Sequence, residues 1–425
     1  MENARIIARD VLLRCEAANG YSNIALDTAI RRAELSDADR ALLTVLVYGV
    51  LERRLTLDAC IDALRTKGGE ALSSEVRTAL RLGIYQLAYL DRVPDHAAVN
   101  ESVALVPKRA RGVVNAILRA FLRSGKVLPC PDRETDAVGY LSVKYSFCRE
   151  IAERFVAVFG MARTESLLSA FCREPHLTLR VNTLRISRDG LLAAFAARGI
   201  RAEAARESAS GIYVTDKLPV TSLYGFEEGL FFVQDEASQL CVEALDARAG
   251  MQVLDTCACP GSKSFGMAIS MENRGAVRAC DLHRNKLSLV ESGAARLGIT
   301  TLTVEERDAR LSPDAQYDRV LCDVPCSGFG VFAKKPELRY KDPALSAALP
   351  EIQRGILEAS ARAVRVGGRL CYSTCTLLPE ENGDVIARFL ASHKNFTLLR
   401  ERTLTPDVDG TDGFYFAVLE KNADA

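Results

Sequence analysis

The sequence holds no apolar run of the length that a bilayer crossing demands, which excludes a helical membrane span. Its first twenty residues, "MENARIIARDVLLRCEAANG", interrupt an amphipathic helical pattern with acids. That is not a signal peptide, and a cytoplasmic location is expected. Neither sign of charge is in excess: 55 Lys+Arg face 55 Asp+Glu. Bulk charge therefore announces no polyanionic partner. Histidine is scarce, with four residues, and the 13 cysteines form no C-x-x-C pair. "CAC" at 257–259 is too tight for a usual ligand pair, so no metal site is expected. An odd number of scattered thiols in a reducing compartment reads as free cysteines, most of them small buried apolar residues. There are no internal repeats or low-complexity tracts.

What is there is a chain of 425 residues, long enough for two or three domains with cores of their own. Residues 1–128 read as almost pure helix. "ARIIARDVLLRCEA", "RALLTVLVYGVLERRLTLDACIDAL", "SSEVRTALRLGIYQLAYL" and "AAVNESVALV" carry apolar residues three and four apart. Gly68-Gly69 and Pro94 punctuate them, and Ser73 or Ser74 is placed to cap the third. Residues 1–130 hold 19 Lys+Arg against 15 Asp+Glu. The excess gathers at Lys108, Arg109, Arg111, Arg119, Arg123 and Lys126. Such a cluster can neutralise phosphates; taken alone, it reads first as a solvated helix face. "KVLPCPDRET" is a linker candidate. A second region, 140–225, begins helical and then mixes strand and helix ("LTLRVNTLR", "DGLLAAFAARG", "GIYVTD").

From 226 the period changes, and short apolar runs alternate with helices. "MQVLDTC", "GAVRACD", "TLTVEE", "YDRVLCDV" and "GRLCYSTC" are the strands. The helices are 262–271, "RNKLSLVESGAARLG", "EIQRGILEASARAV" and "EENGDVIARFLASH". This is the pattern of an open, mostly parallel α/β sheet. "FTLLRE" and "GFYFAVLEK" add a terminal pair of strands. Ligands of such sheets bind beyond the carboxyl ends of the strands. Those ends carry Asp255 to Lys263, then Asp281, Asp308, Asp323 with Cys326, and Cys375. One acid at a strand end is ordinary capping; five strand ends populated this way are not.

"DTCACPGSKS" follows the first strand and opens a helix. Its Pro-Gly turn lets ligand atoms approach the backbone, and the helix N-terminus supplies N–H donors to a phosphate or carboxylate. The Walker spacing is absent. Asp281 stands where a Rossmann-like domain sets an acid against ribose hydroxyls, and Asp308 is placed to accept from an adenine amine. Adenosine with a carboxylate-bearing tail points to S-adenosyl-L-methionine. "GFGVFA" at 328–333 matches a dinucleotide fingerprint, but Pro336 follows where a helix must open, so a loop is expected there.

A strand-end cysteine is usually inert packing. Two on one edge, with Asp323-Val324-Pro325 leading into Cys326, suit a particular chemistry. Carbon 5 of cytosine is a poor nucleophile until a thiolate adds to carbon 6. The reaction wants one activated thiol, an acid at the pyrimidine edge and a second group for release. Cys322 and Cys371, four residues earlier in each strand, read as buried and inert.

These motifs resemble the RNA cytosine-C5 methyltransferase (Fmu/Sun) family, from about residue 145 to the end. "LDTCACPGSKS" is similar to its cofactor motif, "DVPCSGFGV" to its proline-cysteine motif and "YSTCTLLPEEN" to its threonine-cysteine motif; "FVQDEASQL" and "LRVNTLR" also match. The resemblance implies that Cys375 is the nucleophile and that Cys326 assists release. It implies that Asp323 and Lys263 orient the base. The cofactor is then expected on Cys257, Ala258, Cys259, Pro260, Gly261, Ser262, Lys263, Asp281, Asp308 and Asp323. Two departures stand out: "PGSKS" replaces the usual P-G-G-K-T, and "AKKPELRY" lacks the customary histidine but keeps Lys334 and Lys335. The helical region resembles a NusB-like RNA-binding domain, a fusion typical of the small-subunit ribosomal RNA methyltransferase B group. The expected organisation is thus multidomain: an all-α NusB-like domain (1–130), a small α+β RNA-contacting subdomain (140–225) and an α/β Rossmann-like class I methyltransferase domain (226–425). The expected activity is methylation of one unpaired cytosine in small-subunit ribosomal RNA by a monomer, with Lys108, Arg109, Arg111, Lys334 and Lys335 as RNA contacts. Three rival readings stand beside it: the same chemistry on transfer RNA, a non-catalytic RNA-binding assembly factor, and a nicotinamide-dependent oxidoreductase resting on the 328–333 glycines.

Overall fold

The computed structural model describes residues 3–18, 22–65, 71–313 and 315–423. The Gly68-Gly69 signal lies outside the described residues. The chain divides into two compact units: residues 1–173 with 332–343, and residues 174–331 with 344–425. Among the described residues, no helix is long and apolar enough to cross a membrane.

The first unit is helical: α1 (Ala4–Ala18), α2 (Ser22–Arg32), α3 (Asp37–Glu52), α4 (Arg54–Leu64), α5 (Ser74–Tyr89), α6 (Asp95–Ala104), α7 (Lys108–Arg123), α8 (Ala137–Tyr145), α9 (Arg149–Phe159) and α10 (Met161–Phe171). Ser73 accepts the Val76 N–H and caps α5, as its position before the apolar run suggests. Pro94 sits at the N-cap of α6. The stretch 41–64 reads as one periodic helix but is two, broken at Arg53. The freed carbonyls explain the break. Arg339 donates to Glu52 O at 3.0 Å and Tyr340 donates to Leu51 O, so the last turn of α3 is satisfied without continuing. Residues 332–343 are thus built into this unit. Phe332 stacks edge-on against Phe147 and Phe171, each with ring centroids 5.0 Å away. Helix α7 buries Val114, Ile117, Leu118 and Phe121 and leaves Lys108, Arg109, Arg111, Arg119 and Arg123 exposed.

The second unit opens with a small antiparallel sheet of order β2-β3-β1-β4. Its strands are β1 (Leu177–Val181), β2 (Ala202–Ala204), β3 (Gly211–Val214) and β4 (Phe231–Val233), with α11 (Arg188–Ala196) between the first two in sequence. Leu179, Val181, Leu191, Phe195, Ile212 and Phe231 form its core.

The rest is a seven-stranded sheet built from α12 (Glu236–Leu245), β5 (Gln252–Asp255), α13 (Ser262–Ser270), β6 (Ala276–Asp281), α14 (Arg284–Leu297), β7 (Leu302–Glu306), β8 (Tyr317–Asp323), α15 (Leu349–Arg362), β9 (Val364–Thr374), α16 (Gly383–Ser392), β10 (Phe396–Leu404) and β11 (Phe414–Lys421). The order is β10-β11-β9-β8-β5-β6-β7. Strands β5 to β9 pair in parallel, and β11 and β10 add antiparallel. Alternate residues serve opposite layers. Val253, Leu321 and Cys371 pack with α12 and α13, while Leu254, Val320, Cys322 and Tyr372 pack with α15 and α16. Burial on both faces explains why these strands read as continuous apolar runs. Chain order reverses between β5 and β8, so the crevice beyond their carboxyl ends is the topological switch point. Residues 328–333 form turns and no helix, which removes the dinucleotide reading of those glycines.

Candidate active site

Strand β5 ends in Asp255, and the chain turns at once. The Thr256 N–H donates to Leu321 O at 3.0 Å and the Ala258 N–H to Cys280 O at 2.7 Å, which pins the turn to β8 and β6. A cis Cys259–Pro260 bond and Gly261 at φ 110° then lead into α13. Gly261 is needed twice over. Its φ is left-handed, and a Cβ would stand 2.5 Å from the Phe265 ring. The Ser262 side of this turn is therefore a helix start with free N–H donors, the arrangement that favours an anionic group. Cys257 and Cys259 are held as thiols: burial pushes Cys257 well up, and burial followed by Asp281 pushes Cys259 to about 12.

Asp255 itself turns inward. It is 1% exposed, accepts from Ser264 Oγ at 2.6 Å through Oδ2, and among the described residues leaves Oδ1 without a partner. Burial raises its pKa to about 7. Asp281 ties the turn to β6, accepting the N–H groups of His283 at 3.0 Å and Cys259 at 3.4 Å. Asp308, beyond β7, is held by Arg310, whose nearest contact is 2.6 Å. That hydrogen bonding keeps its carboxyl below the usual range.

At the end of β8, Asp323 accepts from Lys263 Nζ at 2.7 Å through Oδ2 and from Ser373 Oγ at 2.7 Å through Oδ1. Burial works against the Lys263 ammonium, but Asp323 outweighs it, and the lysine pKa ends above its ordinary value. Its ammonium also lies 5.2 Å over the Phe414 ring. The two strand-end cysteines meet: Cys326 Sγ and Cys375 Sγ are 3.1 Å apart, and the Cys375 N–H points at Cys326 Sγ at 3.3 Å. The hydrogen bond with Cys375, then burial, raises the Cys326 pKa well above that of a free thiol. Cys322 and Cys371 are both fully buried, and Cys371 lies 3.5 Å from Cys241.

The fold thus brings together residues 257–263, Asp281, Asp323, Cys326 and Cys375 at neighbouring strand ends, with Asp308 on the loop after β7. Lys108, Arg109, Arg111, Lys334 and Lys335 are exposed and belong to the other compact unit. Sequence reading missed Ser373 and Phe414. Ser373 stands beside the threonine-cysteine pair, yet nothing local says that its hydroxyl faces β8. Phe414 arrives on β11, far along the chain, and no spacing rule announces it.

Comparison with known proteins agrees with this architecture. Residues 242–420 match the family model described as 16S rRNA methyltransferase RsmB/F, residues 2–123 the NusB family, and residues 151–221 the ferredoxin-like domain of the RsmF/B-like methyltransferases. The chain is 36% identical to the "Probable ribosomal RNA small subunit methyltransferase B" of Bacillus subtilis, over 99% of each chain. It is 33% identical to the ribosomal RNA small subunit methyltransferase B of Erwinia tasmaniensis, again over 99% of each. Among solved structures, PH0851 superposes with a TM-score of 0.81 at 25% identity, covering 99% of both chains. With relatives of that identity spanning its whole length and its C-terminal unit built as a methyltransferase sheet, the chain belongs to the 16S rRNA methyltransferase RsmB/F family.

Proposed function

We propose that the chain methylates carbon 5 of one cytosine in small-subunit ribosomal RNA, with Cys375 bonding transiently to carbon 6 of the ring. The observation that carries this reading is the pair of thiols 3.1 Å apart at the rim that also holds Asp323 and Lys263. S-adenosyl-L-methionine, when bound, supplies an electrophilic methyl group on a sulfonium sulfur. The donor set suits it: the start of α13 for its carboxylate, Asp281 for the ribose diol and Asp308 for the adenine edge.

The chain's own residues divide the work. Cys375 acts as the thiolate, steadied by the Cys326 S–H, and its electron pair forms the bond to carbon 6. Lys263 and Asp323 contact the pyrimidine and hold the charge that develops on it. After the methyl group arrives, carbon 5 loses its proton, the ring double bond re-forms and the Cys375 sulfur leaves. Cys326, its Sγ 3.1 Å from that of Cys375, serves that release: it passes its own proton to the pyrimidine ring during attack, and its thiolate then takes the proton from carbon 5. The target base is unpaired or flipped, because stacking shields carbon 6. The exposed cations of α7, with Lys334 and Lys335, supply sequence-independent phosphate contacts within residues 1–130 and beside them. Residues 140–225 add a further RNA-contacting surface.

The test is a pair of substitutions. Cys326→Ser traps a denaturation-resistant protein–RNA adduct, because attack survives and release fails; Cys375→Ser traps none. An adduct with the Cys375 variant instead means that the two roles are exchanged. Methylation of protein-free small-subunit RNA in vitro, followed by mapping of the modified base, fixes the substrate. A modification confined to transfer RNA overturns the ribosomal part of the proposal.

A further inference from the structure

Both cysteine-bearing turns are anchored from behind by two consecutive residues, Glu381 and Asn382, that lie between β9 and α16. The helical pattern of "EENGDVIARFLASH" predicts a helix from Glu380, yet α16 starts only at Gly383. The delay has a cause: both side chains are turned onto the cysteine turns. Glu381 Oε2 accepts the Ser327 N–H at 2.9 Å. Gln353, on α15, gives its Nε2 both to that same oxygen at 2.8 Å and to the Pro325 carbonyl at 3.0 Å. The residues on either side of Cys326 are therefore held, one by Gln353 and the other by Glu381.

The second turn is held in the same way. Thr374 Oγ1 donates to Asn382 Oδ1, and Asn382 Nδ2 donates to Thr376 O at 2.9 Å, so the residues on either side of Cys375 are fixed as well. Ser327 Oγ and Thr376 Oγ1, 2.9 Å apart, join the two turns. Tyr372 closes the assembly by donating to the Glu381 carbonyl at 2.6 Å. All of this is out of water: Gln353 is 0% exposed, Glu381 1% and Asn382 4%. Among the described residues, Glu381 Oε1 and Gln353 Oε1 have no hydrogen-bond partner. A carboxylate with an orphaned oxygen is a costly way to fill buried space, and an apolar side chain of the same size would be cheaper. Packing alone therefore does not account for the choice of residues.

We infer that Glu381 and Gln353 are positioning residues for the Cys326 sulfur, and Asn382 for that of Cys375, and that together they set the distance between the two thiols. This rests on the roles proposed above for Cys326 and Cys375. Loss of the Gln353 and Glu381 contacts displaces Cys326, while Asn382 still holds Cys375 and the cofactor rim stays in place. It should therefore impair release more than attack, and misplacement of a reacting group by an ångström costs about a hundredfold in rate.

The experiment compares Gln353→Met, which removes both donated bonds at nearly constant volume, with Glu381→Leu and Glu381→Gln in the full chain. The expected result for Gln353→Met and Glu381→Leu is a fall in kcat of about ten- to a hundredfold. KM for S-adenosylmethionine stays within about twofold, and a trapped RNA adduct accumulates as with Cys326→Ser. Glu381→Gln keeps an oxygen for the Ser327 N–H and recovers most of the turnover. Normal turnover by Gln353→Met overturns the inference. So does a loss of turnover without adduct when Cys326→Ser does trap one. If Glu381→Leu does not fold, Gln353→Met decides alone. If Cys326→Ser traps no adduct, the thiol roles fall first; the clamp is then upheld by a kcat defect that Glu381→Gln restores, and overturned if Glu381→Gln fails as Glu381→Leu does.

Discussion

Removing the Lys263 ammonium separates what the ion pair does for stability from what it does for chemistry. Lys263 and Asp323 stand 2.7 Å apart, with side chains 12% and 27% exposed. Their gross attraction at an effective dielectric of 20 is about 6 kcal/mol, but taking both charges from water cancels most of it. The pair is then close to neutral for stability, while either half alone is not. Lys263→Met leaves the Asp323 carboxylate with Ser373 Oγ as its remaining donor. Because Asp323 keeps some exposure, the cost falls at the low end for a broken buried pair, about 3 kcal/mol. For a unit of this size that lowers the melting temperature by roughly 6–12 °C. Asp323→Leu strands a more deeply buried ammonium and costs about 4 kcal/mol. The double variant has no stranded charge and should recover at least about 2 kcal/mol of the summed loss. Thermal unfolding of the full chain, run on wild type, both single variants and the double, measures this coupling. Methylation is expected to be lost in all three variants. Simple additivity in the double would refute the reasoning, since it would mean that neither charge depends on the other. Recovery of methylation along with stability would refute the catalytic role.

Asp255 gives a pH signature. The folded chain binds a proton there up to about pH 7, whereas the unfolded chain releases it near pH 4. Its contribution to stability is fully present below pH 4 and is lost as the pH rises through 7. Asp255→Asn cannot titrate, so it should gain stability on wild type between pH 5 and pH 8, by about 2.6 kcal/mol, seen as a rising relative melting temperature; a difference constant across that range would contradict the buried, protonated carboxyl. The thiol separation is tested directly. Treatment with diamide should link Cys326 to Cys375 and abolish methylation, and dithiothreitol should restore it; a peptide map in which Cys326 pairs with another cysteine would argue against the 3.1 Å contact. Charge reversal of Lys108, Arg109 and Arg111 should weaken RNA binding equally for all sequences and flatten its salt dependence by about one unit of slope per lost phosphate contact, read by titration at several salt concentrations. An unchanged slope would mean that α7 is only a solvated face.

Much of this was written in local spacing. Apolar residues three and four apart gave α1, α5, α6 and the joint span of α3 and α4, Ser73 or Ser74 was placed to cap α5, and continuous apolar runs gave β5 to β9, because helix and strand periods depend on near neighbours. The strand-end acids and cysteines were legible for the same reason: in a parallel sheet every strand points the same way, so chain order alone puts them on one edge. The sequence could also dismiss the 328–333 glycines, since Pro336 forbids the helix such a fingerprint requires. Other features needed the folded chain. The break at Arg53 depends on Arg339 and Tyr340, nearly three hundred residues away, which claim the carbonyls of α3. The insertion of β11 between β9 and β10, the reach of Ser373 to Asp323 and the late start of α16 likewise depend on contacts between distant segments. Spacing fixes which face a residue takes, but its partner is chosen by packing and hydrogen-bond satisfaction across the whole sheet. The sequence by itself determined most of the elements and which acids and thiols stand at the strand ends. Only the tertiary structure decided which buried groups hold the two sulfurs together.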